Sequence, residues 1–264
     1  MISLSLLFLG CKPPVENTSS NDYILIWQEK FDGEAGARPN TDVWEMETGN
    51  DGWGNNQLEY NTNRSDNAQL TGTGELRIIA KMEEYGGSSY TSARIKTKDA
   101  FEPVFGRFEA RIKLPAGQGL WPAFWLLGAD FEEDGWPLCG EIDIMEFRGE
   151  EPDTVIATVH GPGYSGGAGV GTEYKLQEGA FSDGWHVFSV DIDPDHIAWY
   201  IDEQLVHTVA IGDLPPNTPW VLDNPMKIIL NVAVGGNFVQ APNDPNVFPA
   251  EMYVDWVRFW ERLE

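Results

Sequence analysis

Three acidic side chains, Glu141, Asp143 and Glu146, fall within six residues in the run GEIDIMEFR at 140–148. Two carboxylates flanking one bond can cleave a glycosidic linkage. One, ionised, attacks the anomeric carbon; the other, protonated, gives its proton to the leaving oxygen. On a β-strand, Glu141 and Asp143 point to one face and Ile142 and Ile144 to the other. Strict alternation would then send Glu146 inward with the isoleucines. A one-residue β-bulge at Met145 returns Glu146 to the face of Glu141 and Asp143, leaves Phe147 on the core side and puts Arg148 with the acids. Three carboxylates that close together cannot all ionise at little cost, so at least one is pushed toward its protonated form. The alternative is a solvated acidic edge, but a solvated face has no need of Trp121, Trp125 and Trp136 just upstream.

The elements around this run read as strands. Runs such as ELRIIA at 75–80, RFEARIKL at 107–114 and WHVFSVDI at 185–192 alternate with period two, and clusters of Gly, Asn, Asp and Pro separate them. No stretch sustains a helical period. Short strands without intervening helices predict an all-β sandwich or barrel, and with no repeat or internal linker one domain is expected over residues 22–264.

The chain carries 17 basic and 42 acidic residues, a formal net charge of −25. That balance argues against nucleic acid and anionic membranes as partners, which need a basic patch. It also disfavours a sulfated glycan and leaves a neutral ligand as the natural partner. Eleven tryptophans are many for this length, and an indole offers the flat apolar face on which a sugar ring stacks.

Residues 1–11 are apolar and end in Leu9-Gly10-Cys11, like a bacterial lipoprotein signal in which the cysteine is acylated. The stretch is short and lacks a basic start, and it is too short to span a bilayer. Residues 12–21, rich in Pro and Ser, read as a flexible tether. An exported protein with a lipid anchor at Cys11 is expected, at the cell surface or outer membrane, or else secreted or periplasmic. Cys139 is then a lone buried thiol.

At the acidic run the chain resembles glycoside hydrolase family 16, in the branch that includes bacterial laminarinases (endo-β-1,3-glucanases). The six residues Glu141 to Glu146 match the bulged signature of that branch; lichenases and plant xyloglucan enzymes use one residue fewer. The segments LPAGQGLWPAFWLLG at 114–128, TVHGPGYSGG at 158–167, NVAVGGN at 231–237 and VDWVR at 254–258 are similar to the same branch.

The resemblance implies a β-jelly roll of two curved antiparallel sheets with an open concave cleft. It implies an endo-acting, retaining hydrolase of β-1,3-glucan, acting as a monomer without a catalytic cofactor, with mixed-linkage glucan as a further substrate. By position Glu141 is the nucleophile, Glu146 the general acid/base and Asp143 the residue that tunes them. Trp121 and Trp125 alternate onto one face, which suits stacking against glucosyl rings, and Trp136 matches a further cleft tryptophan. Asn55 and Arg94 match positions that hold sugar hydroxyls. His160, on the strand after the catalytic one, is expected to border the acid/base; a lone His without a Cys or His neighbour at ligand spacing makes no catalytic zinc site. A structural calcium is implied on the convex side, held by the Asp255 carboxylate and backbone carbonyls of Lys30 and Gly74, oxygen donors that suit the ion. One departure concerns Gly235-Gly236-Asn237, usually followed in the branch by Trp and then Pro-Gly but here by Phe238-Val239-Gln240-Ala241-Pro242, so the outer cleft differs. Two other functions fit the same scaffold: hydrolysis of a marine galactan (agar, carrageenan or porphyran), and non-catalytic binding by a β-glucan lectin, which has no reason to keep both glutamates.

Overall fold

The computed structural model describes residues 22–99 and 101–263; the signal segment, the tether and Cys11 lie outside the described residues. Two sheets pack face to face as a jelly-roll sandwich. One has seven antiparallel strands in the spatial order Val170–Lys175, Thr154–His160, Glu141–Phe147, Leu120–Gly128, Met226–Val234, Arg94–Thr97 and Trp44–Glu47. The other has ten strands, with Gly106–Lys113 and Ala250–Arg262 at its centre. Within it Glu59–Asn61 and Ser88–Ser92 pair in parallel. The one α-helix among the described residues is the single turn Phe131–Asp134.

Period-two patterning explains the packing. Along Gly106–Lys113 buried and half-exposed residues alternate, placing Phe108, Ala110 and Ile112 in the core. From the facing sheet Phe124, Leu126, Ile142, Phe147, Val155, Val159, Ile228 and Leu230 enter the same cluster. Burial of such side chains stabilises by about 1.5–3 kcal/mol each, which fixes the register: a one-residue slip would carry every apolar side chain to the solvent face.

No helix among the described residues is long and apolar enough to cross a membrane. The acids stand on the outer face of the seven-stranded sheet, turned away from the ten-stranded one.

Candidate active site

Pairing shifts register on both sides of Glu141–Phe147. Against Leu120–Gly128, Asp143 pairs with Trp125 and Met145 with Phe124. Against Thr154–His160, Asp143 pairs with Thr158 and Glu146 with Ile156. The extra residue therefore lies at Ile144–Met145, and both of those side chains enter the core. Glu146 is turned back toward the face of Glu141 and Asp143, the geometry the spacing predicts.

The register then builds the site in rows across the sheet. One row runs Glu47, Arg94, Asn231, Ala123, Glu146, Ile156 and Glu173. The next runs Glu45, Lys96, Ile229, Trp125, Asp143, Thr158 and Gly171. Directly opposite Glu141 stand Leu127 and His160. The small Ala123 thus faces Glu146, and Trp121 and Trp125 flank it on the same face.

Trp199 ties the bulge to the other sheet. It is 1% exposed and donates its indole N–H to the Asp143 carbonyl at 2.9 Å. A bulge disrupts the ladder locally, and a buried carbonyl without a partner is costly. Trp199→Phe is therefore expected to lower stability by about 1–3 kcal/mol, read as a lower midpoint of urea unfolding. An unchanged midpoint would mean that the carbonyl is satisfied without the indole.

The electrostatics push all three acids up. Glu141 is held well above the usual carboxylate range by burial, then by the Asp143 charge, against the opposing pull of His160. Burial pushes Asp143 up to about 8. Burial and Asp143 push Glu146 up to about 8, opposed by His160 and by the Trp121 hydrogen bond. Glu141 and Asp143 share protons as a pair. Of the pair facing His160, the Glu141 side chain is 16% exposed and that of Asp143 6%, so water stabilises charge on Glu141 more readily.

His160 differs from the expectation. Its Nε2 lies 3.1 Å from Asp143 Oδ2 and 3.6 Å from Glu141 Oε1, so it borders the other end of the trio from Glu146. The antiparallel register, which sets His160 opposite Glu141, is the cause. Trp121 differs too. It is 8% exposed, packs with Ala233 and Val239, lies 4.7 Å from the Phe238 ring, and donates its N–H to Glu146 Oε1 at 3.0 Å. Covered in this way it braces a carboxylate and offers little ring face for stacking. Trp125 is half-buried and donates to Asn231 Oδ1 at 2.8 Å. Trp136 is 45% exposed, with its ring 6.2 Å from that of His160.

Arg94 is clamped between two indoles, 4.9 Å from the Trp53 ring and 4.6 Å from the Trp125 ring, and its Nε donates to Glu47. Asn55 is half-buried in the loop that carries Trp53, and its carbonyl accepts from the Asn237 N–H. Gly236, at φ +103, permits that contact: a Cβ there would stand 2.8 Å from the Asn55 carbonyl oxygen. Phe238, at the departure from the family pattern, packs on Trp121 and lies 4.4 Å under the Arg148 guanidinium. Arg148 also pairs with Glu151 and Glu173.

Sequence reasoning missed Trp53, Asn231, Glu47 and Glu59. Trp53 sits at φ +50, a strained position for a bulky residue. Glu59 is fully buried, accepts from the Val234 N–H at 2.8 Å and is pushed up to about 7 by burial; it pins the strand end leading into Gly235-Gly236. The only available signal was the polar Asn231 within an apolar strand.

Of the three calcium-ligand expectations, Asp255 lies on a strand of the ten-stranded sheet, away from the acids, and Lys30 and Gly74 lie just beyond the ends of strands of that sheet. Asp255 Oδ2 pairs with Arg111 Nη1 at 2.6 Å. A Cβ at Gly74 would stand 3.9 Å from the Lys30 carbonyl oxygen and 3.8 Å from Asp32 Oδ1. Val254 pairs with Leu76 and Val257 with Glu29, which brings the strand ends next to Lys30 and Gly74 toward the Asp255–Trp256 stretch. Oxygen donors suit a hard cation, and the one carboxylate among the three expected ligands, that of Asp255, is paired with Arg111.

The family described as glycosyl hydrolases family 16 matches residues 48–258. A β-glucanase of Rhodothermus marinus is 38% identical over 91% of this chain and 86% of its own length. Among solved structures, the endo-β-1,3-glucanase of Pyrococcus furiosus is 44% identical with a TM-score of 0.85, covering 92% of this chain and 95% of that one. The laminarinase catalytic domain of Thermotoga maritima is 44% identical with a TM-score of 0.86, covering 92% of this chain and 100% of that one.

Proposed function

The chain belongs to glycosyl hydrolases family 16 and is a glycoside hydrolase; on that premise we propose that it cleaves β-1,3-glucosidic bonds inside laminarin-type β-glucans, with net retention, through Glu141 and Glu146. The observation that carries this reading is the bulged strand that turns Glu146 back to the face of Glu141, on a fold it shares with a laminarinase and an endo-β-1,3-glucanase.

Glu141, as carboxylate, attacks the anomeric carbon of the bound glucosyl unit while the glycosidic C–O bond breaks. Glu146 gives its proton to the departing oxygen. The Glu146 carboxylate then takes a proton from water, whose oxygen displaces Glu141 and restores both groups. The Trp121 N–H steadies Glu146 in its charged phase and fixes its aim. Asp143, within 4.8 Å of Glu141 and His160, holds back a proton that would otherwise compete for Glu141. Arg94, Asn55, Trp125 and Trp136 line the cleft for sugar hydroxyls and ring faces. No cofactor takes part.

A structural calcium held by the Asp255 carboxylate and the Lys30 and Gly74 carbonyls belongs to the same reading. Saturation at 100 times Kd would stabilise by about 2.7 kcal/mol, raising Tm by roughly 5–10 °C for a chain of this size. Calorimetry with calcium and with chelator should show that rise in the wild type and not in Asp255→Ala. An equal Tm under both conditions would remove the ion.

The chain acts as a monomer, exported and anchored through Cys11. Reducing-sugar release and product size on laminarin, mixed-linkage glucan, agarose and κ-carrageenan, side by side, test the substrate. Short oligosaccharides from laminarin are expected. Activity on a galactan alone would overturn the substrate, and silence on all four from folded protein would favour a lectin.

A further inference from the structure

Glu141, Asp143 and His160 present donor atoms that all lie within 4.8 Å of one another. A tetrahedral zinc ion with bonds of about 2.0–2.1 Å separates its ligand atoms by roughly 3.3 Å. The His160 Nε2 distances, 3.1 Å to Asp143 Oδ2 and 3.6 Å to Glu141 Oε1, bracket that value. A second observation points the same way. Asp143 is 4% exposed, and its Oδ2, turned toward His160, has no hydrogen-bond partner. The arrangement is a buried oxygen lone pair facing an imidazole nitrogen, with a second carboxylate alongside.

We infer that this trio is a reversible site for a borderline divalent cation, Zn2+ or Cu2+, bound by Glu141, Asp143 and His160 with its fourth position open to the cleft. One nitrogen and two carboxylate oxygens suit those ions, whereas calcium and magnesium want more oxygens. The site is not built for a resident metal. His160 Nδ1 is buried without a partner and packs against Gly169, where a Cβ would stand 2.6 Å away. Supported histidines donate that second nitrogen to an outer partner, whose loss costs about 10–100-fold in affinity. The ion is therefore an exchangeable occupant that excludes substrate. That consequence rests on Glu141 being the nucleophile; the binding itself does not.

His196 provides a built-in contrast. It too meets two carboxylates, Asp195 through Nδ1 at 2.8 Å and Asp193 through Nε2 at 3.4 Å. The two lie on opposite ring nitrogens, so they cannot close around one ion.

Titration calorimetry of zinc into chelator-treated full-length protein, with calcium present throughout, tests the site. The wild type should bind one zinc per chain. His160→Gln should weaken binding by at least the about 10–100-fold expected for an outer-partner loss, Glu141→Gln should also weaken it, and His196→Gln should bind as the wild type does. Cobalt should give the intense visible bands of a tetrahedral site in the wild type and lose them in His160→Gln. Zinc binding unchanged in both folded variants, or none at millimolar zinc, would overturn the site whether or not laminarin is cleaved.

Discussion

Glu141→Ser abolishes turnover of laminarin, lowering kcat by roughly four to six orders of magnitude, as loss of a covalent nucleophile does in other hydrolases. Binding of a laminari-oligosaccharide is largely kept, because Trp125, Trp136 and Arg94 hold the sugar by other atoms. The variant still carries Glu146, so the leaving group can be protonated; what is missing is the attacking oxygen. Azide supplied at high concentration fills that gap and attacks from the same side. Its product is a glycosyl azide of inverted configuration, with the aglycone departing on the proton from Glu146. More than a trace of hydrolysis by Glu141→Ser, or azide products of retained configuration, would remove Glu141 from its role.

Glu146→Gln is the second large effect, and it separates by substrate. Hydrolysis of laminarin falls by about 10²–10⁴-fold, the usual contribution of a general acid. An aryl glycoside whose phenolate leaves unaided loses far less in the first step. The pH dependence follows from the burial that pushes Glu146 up to about 8. The working acid must be protonated, so wild-type activity falls as pH rises through that value, and the variant loses this alkaline limb. Stability runs in parallel. A carboxyl held above its unfolded value binds its proton more tightly in the folded state, so its stabilisation is full below about pH 4.3 and is lost as pH rises through about 8. Removing the titrating group should make the variant gain on the wild type between pH 5 and pH 9. Both are measured from kcat/KM and thermal midpoints across that range. An alkaline limb unchanged in Glu146→Gln would assign it to another group.

The catalytic strand was legible in the sequence because its two faces differ so sharply. Isoleucines alternating with acids leave one register open, and the misfit at Glu146 forces an extra residue at Ile144–Met145. The sheet order was not legible, since pairing between Leu120–Gly128 and Met226–Val234 joins segments more than 90 residues apart. For the same reason alternation put Trp121 on the cleft face but could not show that Phe238 and Val239 cover it. The His160 contact depends on how the turn after Arg148 sets the register, which residue types alone do not determine. The resemblance gave Arg94 as a sugar ligand. The structure makes it an ion pair with Glu47 that also carries two indole faces, one from a loop whose left-handed Trp53 no pattern announced. The Trp199 hydrogen bond crosses the sandwich and leaves no trace in local sequence. Residues 1–21 lie outside the described residues, so the anchor at Cys11 is still a sequence expectation.

The most direct test of the central claim is to trap the covalent intermediate. A 2-deoxy-2-fluoro laminaribioside with a good leaving group should inactivate the enzyme with a stoichiometry of about one, because the fluorine slows both oxocarbenium-like steps while the leaving group restores the first. Peptide mass spectrometry should then find the added disaccharide on Glu141. Label on Glu146 or another residue would contradict the assignment, and intact mass unchanged while the compound is hydrolysed with inversion would contradict the double displacement itself.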